Sequence, residues 1–331
     1  MPRHDPLRNI DFHMRNVLLL SSGSKVALAR IVAESTHKRG AILHAVDSSE
    51  NVPTSHFVDS FQSFDFENEI ESLIPFCQEA KIGLIIPSRH KDLLPLAKSK
   101  NAFVQAGITL AISSLETIEL CVDKRQTAVF LENNRFPAPK TFLSENIDQD
   151  QLFQNLPLIS KPATGSSSEG IQFLRKIEDL SSGDIAPNTI FQTLASGDEY
   201  TISVYIAKSG KCLCAIPHKR LIINSGESVQ AITERNETLI QLAYSVAEAL
   251  PKAWGLLNIQ AFYDPETGNT QVIEINPRVG GGFPLAHQAK GHYIEWLLQE
   301  VFENHPLEPF SDWTDNLRMM RYRDAIFDFP K

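Results

Sequence analysis

The strongest constraint on the fold is the alternation between residues 16 and 113. "NVLLLSSGSKVALARIVAES" (16–35) reads as a buried strand, a Gly/Ser turn and an amphipathic helix. "AILHAVD" (41–47), "IGLIIPS" (82–88) and "ITLAIS" (108–113) read as further buried strands. The stretches "EIESLIPFCQEAK" (69–81) and "DLLPLAKSKNAFVQAG" (92–107) have helical spacing. Fully apolar strands separated by helices imply a parallel sheet, because parallel neighbours need a long crossover and that crossover covers the sheet faces. Ligands of such a sheet belong at the carboxyl ends of its strands.

Residues 14–113 are therefore expected to form an α/β, Rossmann-like lobe. "GSK" (23–25) is not a phosphate loop, since the earlier glycine that motif requires is absent and position 18 is Leu. No dinucleotide fingerprint follows the first strand either, which argues against a nicotinamide dehydrogenase. Past Ser113 the texture becomes α+β. "SLETIELCVDKRQTAVFLENNRF" (114–136) reads as two helices with Asp123-Lys124 between them. "TIFQTLASGDEYTISVYIAKSGKCLCAIPHKR" (189–220) is rich in β-branched residues with turns at Ser196-Gly197 and Ser209-Gly210. "NETLIQLAYSVAEALP" (236–251) is an amphipathic helix, and "GLLNIQAFYDPETGNTQVIEIN" (255–276) is a hairpin.

Bulk properties bound the function. A formal net charge of −9 argues against a nucleic-acid partner held through phosphates. The cysteines, Cys77, Cys121, Cys212 and Cys214, are scattered without a second pair at zinc-ligand spacing. Their scatter fits the cytosol. No apolar run approaches membrane-spanning length, so no membrane association is expected.

The hairpin carries the most pointed chemistry. "DPETGN" (264–269) is a turn by composition, and a turn centred near Thr267 sets Gln260 opposite Glu274. Alternation then puts Asn258, Gln260, Glu274 and Asn276 on one face, with Leu257, Ile259, Ile273 and Ile275 on the other. A carboxylate with amides and no lysine is a set of hard oxygen donors suited to Mg²⁺, completed by substrate phosphates. The alternative is an ordinary polar outer face. A second segment, "ISKPATGSSSEGI" (159–171), ends a buried strand at Lys161 and continues into a Gly/Ser loop. Such a loop can fold over phosphates as a lid or serve only as a hairpin turn.

These motifs occur in a telling order: Asp123-Lys124, Lys161-Pro with its loop, Gly197-Asp-Glu199, Asn258-x-Gln260, then "EINPR" ending at Arg278. The order and spacing resemble the ATP-grasp superfamily, and within it the single-chain ligases similar to the large chain of carbamoyl phosphate synthase. The resemblance covers about residues 14–300, and "LRMMRYRDAIF" (317–327) extends it weakly. It implies a pre-ATP-grasp lobe over 14–113 and an ATP-grasp domain with two β-lobes over 114–331, with a lid lobe at about 125–195. It also implies roles. Lys124 and Lys161 would contact ATP phosphates or adenine. Thr164, Gly165, Ser166, Ser167, Ser168 and Gly170 would form the lid over the β- and γ-phosphates. Gln192, Thr193 and Leu194 would border the base, and Glu199 would bind ribose. Gln260, Glu274 and Asn276 would hold Mg²⁺, or Mn²⁺ in its place. Arg278 would face the transferred phosphoryl group and the acceptor carboxylate, with Lys219 and Arg220 as weaker anion-binding candidates.

The activity implied is that of an ATP- and Mg-dependent, ADP-forming carbon–nitrogen ligase. It would activate a carboxylate as an acyl phosphate and join it to an amine or similar nucleophile. Its partners would be small molecules, in a protein compatible with a homodimer. A non-catalytic nucleotide-binding regulator and a small-molecule phosphotransferase remain as alternatives. Carbamoyl phosphate synthesis itself is not expected, since the family enzyme uses tandem halves and this chain has the length of one. Two positions depart from the family: "QTLASG" places Thr193 where an adenine-binding Glu is common, and Glu169 stands in the lid. The glycines 280–282 are expected to let backbone approach the acceptor, or simply to turn the chain into a helix near His287.

Overall fold

The computed structural model describes residues 15–66, 69–145, 149–165, 170–179 and 188–329. The chain forms two compact units. The first takes residues up to Ile112, His292–Leu307, and residues from Ile326 onward. The second is Ser113–Gly291 with Glu308–Ala325.

The first unit holds a parallel sheet of β1 (Asn16–Leu20), β2 (Leu43–Asp47), β3 (Ser60–Ser63), β4 (Ile82–Pro87) and β5 (Thr109–Leu110), in the order β3-β2-β1-β4-β5. β2 and β4 are buried along their whole length, and β1 is buried beyond Asn16. That is why they read as continuous apolar runs rather than alternating ones. The strand order reverses between β1 and β4, the switch point expected of this α/β class. Within 92–107 the helix is broken at Ser99 into Leu93–Lys98 and Lys100–Gln105. β3 was not legible, because "SFQS" has neither an apolar run nor a clean alternation. His292–Leu307 returns to this unit, where the helix Tyr293–Leu298 packs on the helix Val26–His37. There Arg39 is held by Glu295 and Glu303, each at 2.8 Å.

The second unit carries two antiparallel sheets. The smaller comprises β6 (Thr141–Leu143), β7 (Leu158–Pro162), β8 (Gln172–Leu174) and β9 (Thr189–Thr193), in the order β6-β9-β7-β8. Leu152, Leu158, Leu174 and Phe191 close its core. The larger comprises β10 (Asp198–Ile206), β11 (Cys212–Asn224), β12 (Glu227–Thr233), β13 (Gly255–Tyr263), β14 (Thr270–Asn276) and β15 (Arg318–Met320), in the order β14-β13-β10-β11-β12-β15. The helix Glu237–Ala249, capped by the Asn236 side chain, covers β10 and β11. The helices Leu115–Val122 and Lys124–Asn133 lie against β14. Asp123 separates them because its carboxylate accepts from the Arg125 amide at 2.9 Å, an N-cap that starts the second helix. No described helix is long and apolar enough to cross a membrane.

Candidate functional site

The pairing register of the larger sheet assembles one polar row. Glu274 lies opposite Gln260, Gln260 opposite Thr201, and Thr201 opposite His218. A second row holds Asn276, Asn258 and Ser203. Directly opposed residues share a face, so these side chains line one side of four strands. Tyr200, Ile202, Val204, Leu257, Ile259 and Ile275 fill the other side and are fully buried. The expected pairing of Gln260 with Glu274 is present. A bulge makes it possible: Ala261 pairs with Val272 rather than with Ile273. The extra residue Ile273 shifts the register of the hairpin end without moving the polar row.

A buried polar sheet face has to satisfy itself. Ser203, His218, Asn258 and Asn276 are each at most 5% exposed. Ser203 Oγ donates to Asn258 Oδ1 at 3.3 Å and lies 3.1 Å from His218 Nε2. Asn258 Nδ2 donates to the Arg278 carbonyl at 2.6 Å. With the Ser203 proton directed to Asn258, its oxygen accepts from Nε2–H of His218, which leaves the lone pair on Nδ1. That atom is buried without a partner among the described residues. Burial, helped by the charge of Arg220, pushes the His218 imidazole down to about 3, so the ring is neutral.

The glycines 280–282 close this face from above. A Cβ on Gly280 would lie 2.5 Å from Asn258, and one on Gly281 would lie 2.6 Å from Glu227 Oε1. One on Gly282 would lie 2.3 Å from His218 Cε1. Gly280 and Gly282 are required because the loop there lies directly on buried side chains of its own sheet, whereas Gly281 meets only the far end of the half-exposed Glu227 side chain. It then enters the helix Phe283–Gln288, which ends beside His287.

Cations gather around Glu274. Lys124 follows the Asp123 cap, and its amide donates to Ala163 O at 2.8 Å, tying the helix to the start of the loop beyond β7. Asp123 forms a bridge with Thr164, and Lys124 Nζ donates to Gly165 O at 3.1 Å. Burial lowers the Lys124 pKa, while Glu274 and Asp123 oppose the shift. Burial pushes the Lys161 ammonium down to about 8, with Glu274 opposing and Lys124 reinforcing. Burial also lowers Arg278, with Glu274 and then Glu227 opposing. Glu274 thus sits within electrostatic reach of Lys124, Lys161 and Arg278. The donors nearest it, Gln260 and Asn276, are hard oxygens. Among the described residues no group of three His, Cys, Asp or Glu side chains is placed to hold a metal alone. The set therefore fits a hard cation such as Mg²⁺ that takes its remaining ligands from phosphates.

Several expected site residues are engaged within the chain. Glu199 pairs with Arg220, whose side chain is only 5% exposed and also donates to Ser228 Oγ and Gly226 O. Lys219 pairs with Asp198 at 2.5 Å on the opposite face from Arg220. Lys219 and Arg220, read as anion-binding candidates, are both already matched by acids. Gln192 donates to Thr141 Oγ1 at 2.8 Å, and Thr193 Oγ1 accepts from the Lys140 amide at 3.1 Å. Leu194 is exposed just beyond β9. Gly165 and Gly170, at the ends of the segment expected to form a lid, have positive φ, but Ser166, Ser167, Ser168 and Glu169 lie outside the described residues. Thr201, Ser203 and His218 were overlooked in the sequence. Their signal is partial: Glu199, Thr201 and Ser203 alternate with apolar residues, whereas Lys219 between His218 and Arg220 breaks the alternation in "IPHKRL".

Residues 121–282 match the family described as an ATP-grasp domain, and residues 17–111 match a PylC-like N-terminal domain. The chain thus carries an ATP-grasp domain. That matched segment contains the smaller sheet, the larger sheet apart from β15, and every residue of the polar row. The large chain of carbamoyl phosphate synthase from Clostridium acetobutylicum is 26% identical over 275 residues, 75% of this chain and 25% of that one. The chain thus spans a quarter or less of the length of the curated relatives first in similarity. Among solved structures, biotin carboxylase from Campylobacter jejuni matches with a TM-score of 0.73 at 15% identity, covering 92% of this chain and 74% of that one. L-amino acid ligase from Bacillus licheniformis matches with a TM-score of 0.66 at 16% identity, covering 88% and 75%. These structures share the fold: a parallel α/β lobe followed by an ATP-grasp domain with antiparallel sheets.

Proposed function

We propose that this protein is an ATP- and Mg²⁺-dependent, ADP-forming ligase that activates a carboxylate and joins it to an amine. The observation that carries the reading is the convergence of Lys124, Lys161 and Arg278 on Glu274, the single carboxylate of a row of oxygen donors. Lone cations would solvate better at the surface. Burying them around one acid suits a polyanion that arrives with its own metal.

In the reaction an oxygen of the acceptor carboxylate attacks the γ-phosphorus of ATP. The bond from that phosphorus to the β–γ bridging oxygen breaks, and ADP leaves. The amine then attacks the acyl carbon, phosphate departs, and the nitrogen gives up a proton. Lys124 and Lys161 neutralise charge on the phosphates, and Arg278 orients the acceptor carboxylate against them. Gln260, Glu274 and Asn276 would hold Mg²⁺, which would supply charge neutralisation on the phosphates. Mn²⁺ would fit the same oxygens. The neutral His218 supports the loop rather than moving a proton. Thr193 offers a hydroxyl where relatives carry a carboxylate, so the base is held with less charge.

The test is ADP release from Mg-ATP across a panel of small carboxylates and amines, with products identified by mass spectrometry. A phosphorus-free condensation product is expected. Glu274→Gln should lower kcat by about 100-fold or more. Tight ATP binding with no turnover on any pair of substrates would leave a nucleotide-binding regulator as the better reading. A phosphorylated final product would make the protein a phosphotransferase.

A further inference from the structure

Beyond the polar row, a second charged group surrounds the glycine loop. Glu227, the first residue of β12, has a side chain 53% exposed beside Gly281. Arg321 follows β15, and its amide donates to Val229 O at 2.9 Å, which extends the β12–β15 pairing. Its guanidinium donates to the Gly281 carbonyl and lies 3.3 Å from Glu227 Oε1. Among the described residues Arg321 is the cation paired with Glu227. The Nε atoms of Arg321 and of Arg278 are both buried and without a hydrogen-bond partner among the described residues. Among the described residues Arg278 hydrogen-bonds through Nη1, to Val279 O at 2.8 Å.

Two guanidiniums with unused buried donors therefore flank the glycine loop, with the half-exposed Glu227 carboxylate paired to one and within electrostatic reach of the other. Arginines left under-bonded in this way call for an anion. Glu227 disfavours a second negative group at the outer end and favours a cation there. The complementary ligand has a carboxylate and an ammonium a short distance apart.

Resting on the ligase reading above, we propose that Glu227 and Arg321 form the recognition end of the acceptor site. The carboxylate activated is then that of a free amino acid, its ammonium resting on Glu227 and its carboxylate meeting Arg278. Arg321 is a positioning residue: it fixes Glu227 and the Gly281 carbonyl together. A side chain at Gly281 would displace the Glu227 carboxylate from its present position. Held against a carboxylate, the ammonium of the acceptor stays protonated and is withheld as a nucleophile, so a second amine completes the reaction.

The experiment compares ADP release for free amino acids, their N-acetylated forms and the matching acids without the amino group. Free amino acids should be favoured by about tenfold or more in kcat/KM, through KM. Glu227→Gln should erase that preference while MgATP affinity, read by calorimetry, stays close to wild type. Arg321→Gln should raise KM for the amino acid, with partial rescue by Arg321→Lys. Equal turnover of amino and des-amino acids would overturn this inference and leave the ligase reading standing. A preference that survives in Glu227→Gln would also overturn it. No ADP release from any carboxylate, with MgATP bound, would overturn the ligase reading and this inference with it.

Discussion

Lys161 sets the pH dependence at the scale of single residues. Its ammonium is held down to about 8 by burial, so the free site loses that charge as pH rises through about 8. A bound phosphate chain keeps it protonated. Affinity for MgATP should therefore be full below that pH and fall above it, by at most about tenfold per pH unit. Calorimetry across the range checks this, and Lys161→Arg should flatten the profile. Gly282 tests the loop. Its φ of −73° suits any residue, so only the contact with His218 penalises a side chain there. Gly282→Ala should cost about 1–3 kcal/mol in a denaturant melt. The double variant Gly282→Ala/His218→Ala should recover part of that loss, because the two sites share one contact.

At the scale of elements, the hairpin β13–β14 shows how far alternation carries. The positions of Gln260 and Glu274 followed from a turn near Thr267 and a period of two. The bulge at Ile273 did not, since nothing local in "TQVIEIN" distinguishes a regular strand from a bulged one. Gly197, between β9 and β10, has φ +94°, and a Cβ there would lie 2.2 Å from the carbonyl oxygen of Tyr263 at the end of β13. Gly197→Ala meets both a strained backbone and a backbone neighbour, so it should cost about 2 kcal/mol or more. A lower melting midpoint checks this, and a midpoint equal to wild type would show that the turn can re-form. β6, β12 and β15 were not legible as strands, because β6 and β15 are only three residues long and β12 owes its place to its partners.

At the scale of the molecule, the chain leaves the first unit at Ile112 and returns to it after Gly291. Arg39 marks that return. Its side chain is 15% exposed, and both carboxylates that hold it come from the segment 292–307. Arg39→Ala should therefore destabilise the first unit by about 1–2 kcal/mol. Hydrogen exchange that increases in β1, β2 and the helix Val26–His37 would register the loss. The net charge of −9 coexists with a positive site because Lys124, Lys161 and Arg278 are drawn together from a helix, a strand end and a loop.

Period and order along the chain determined the parallel first sheet, the two helices around Asp123, the hairpin and its oxygen donors. These depend on neighbours a few residues apart, and the patterning of apolar side chains records such neighbours directly. Tertiary structure decided the rest. Strand pairing across 17 residues to His218 and across 59 to Gln260 joined Thr201 and His218 to the row of Gln260 and Glu274. Folding of the 308–325 segment onto β12 set Arg321 beside Glu227. Lys219 and Arg220 looked open as bare cations, yet each is neutralised by an acid twenty-one residues away. Charge partners and sheet order are long-range properties of the packed chain, and no local period encodes them.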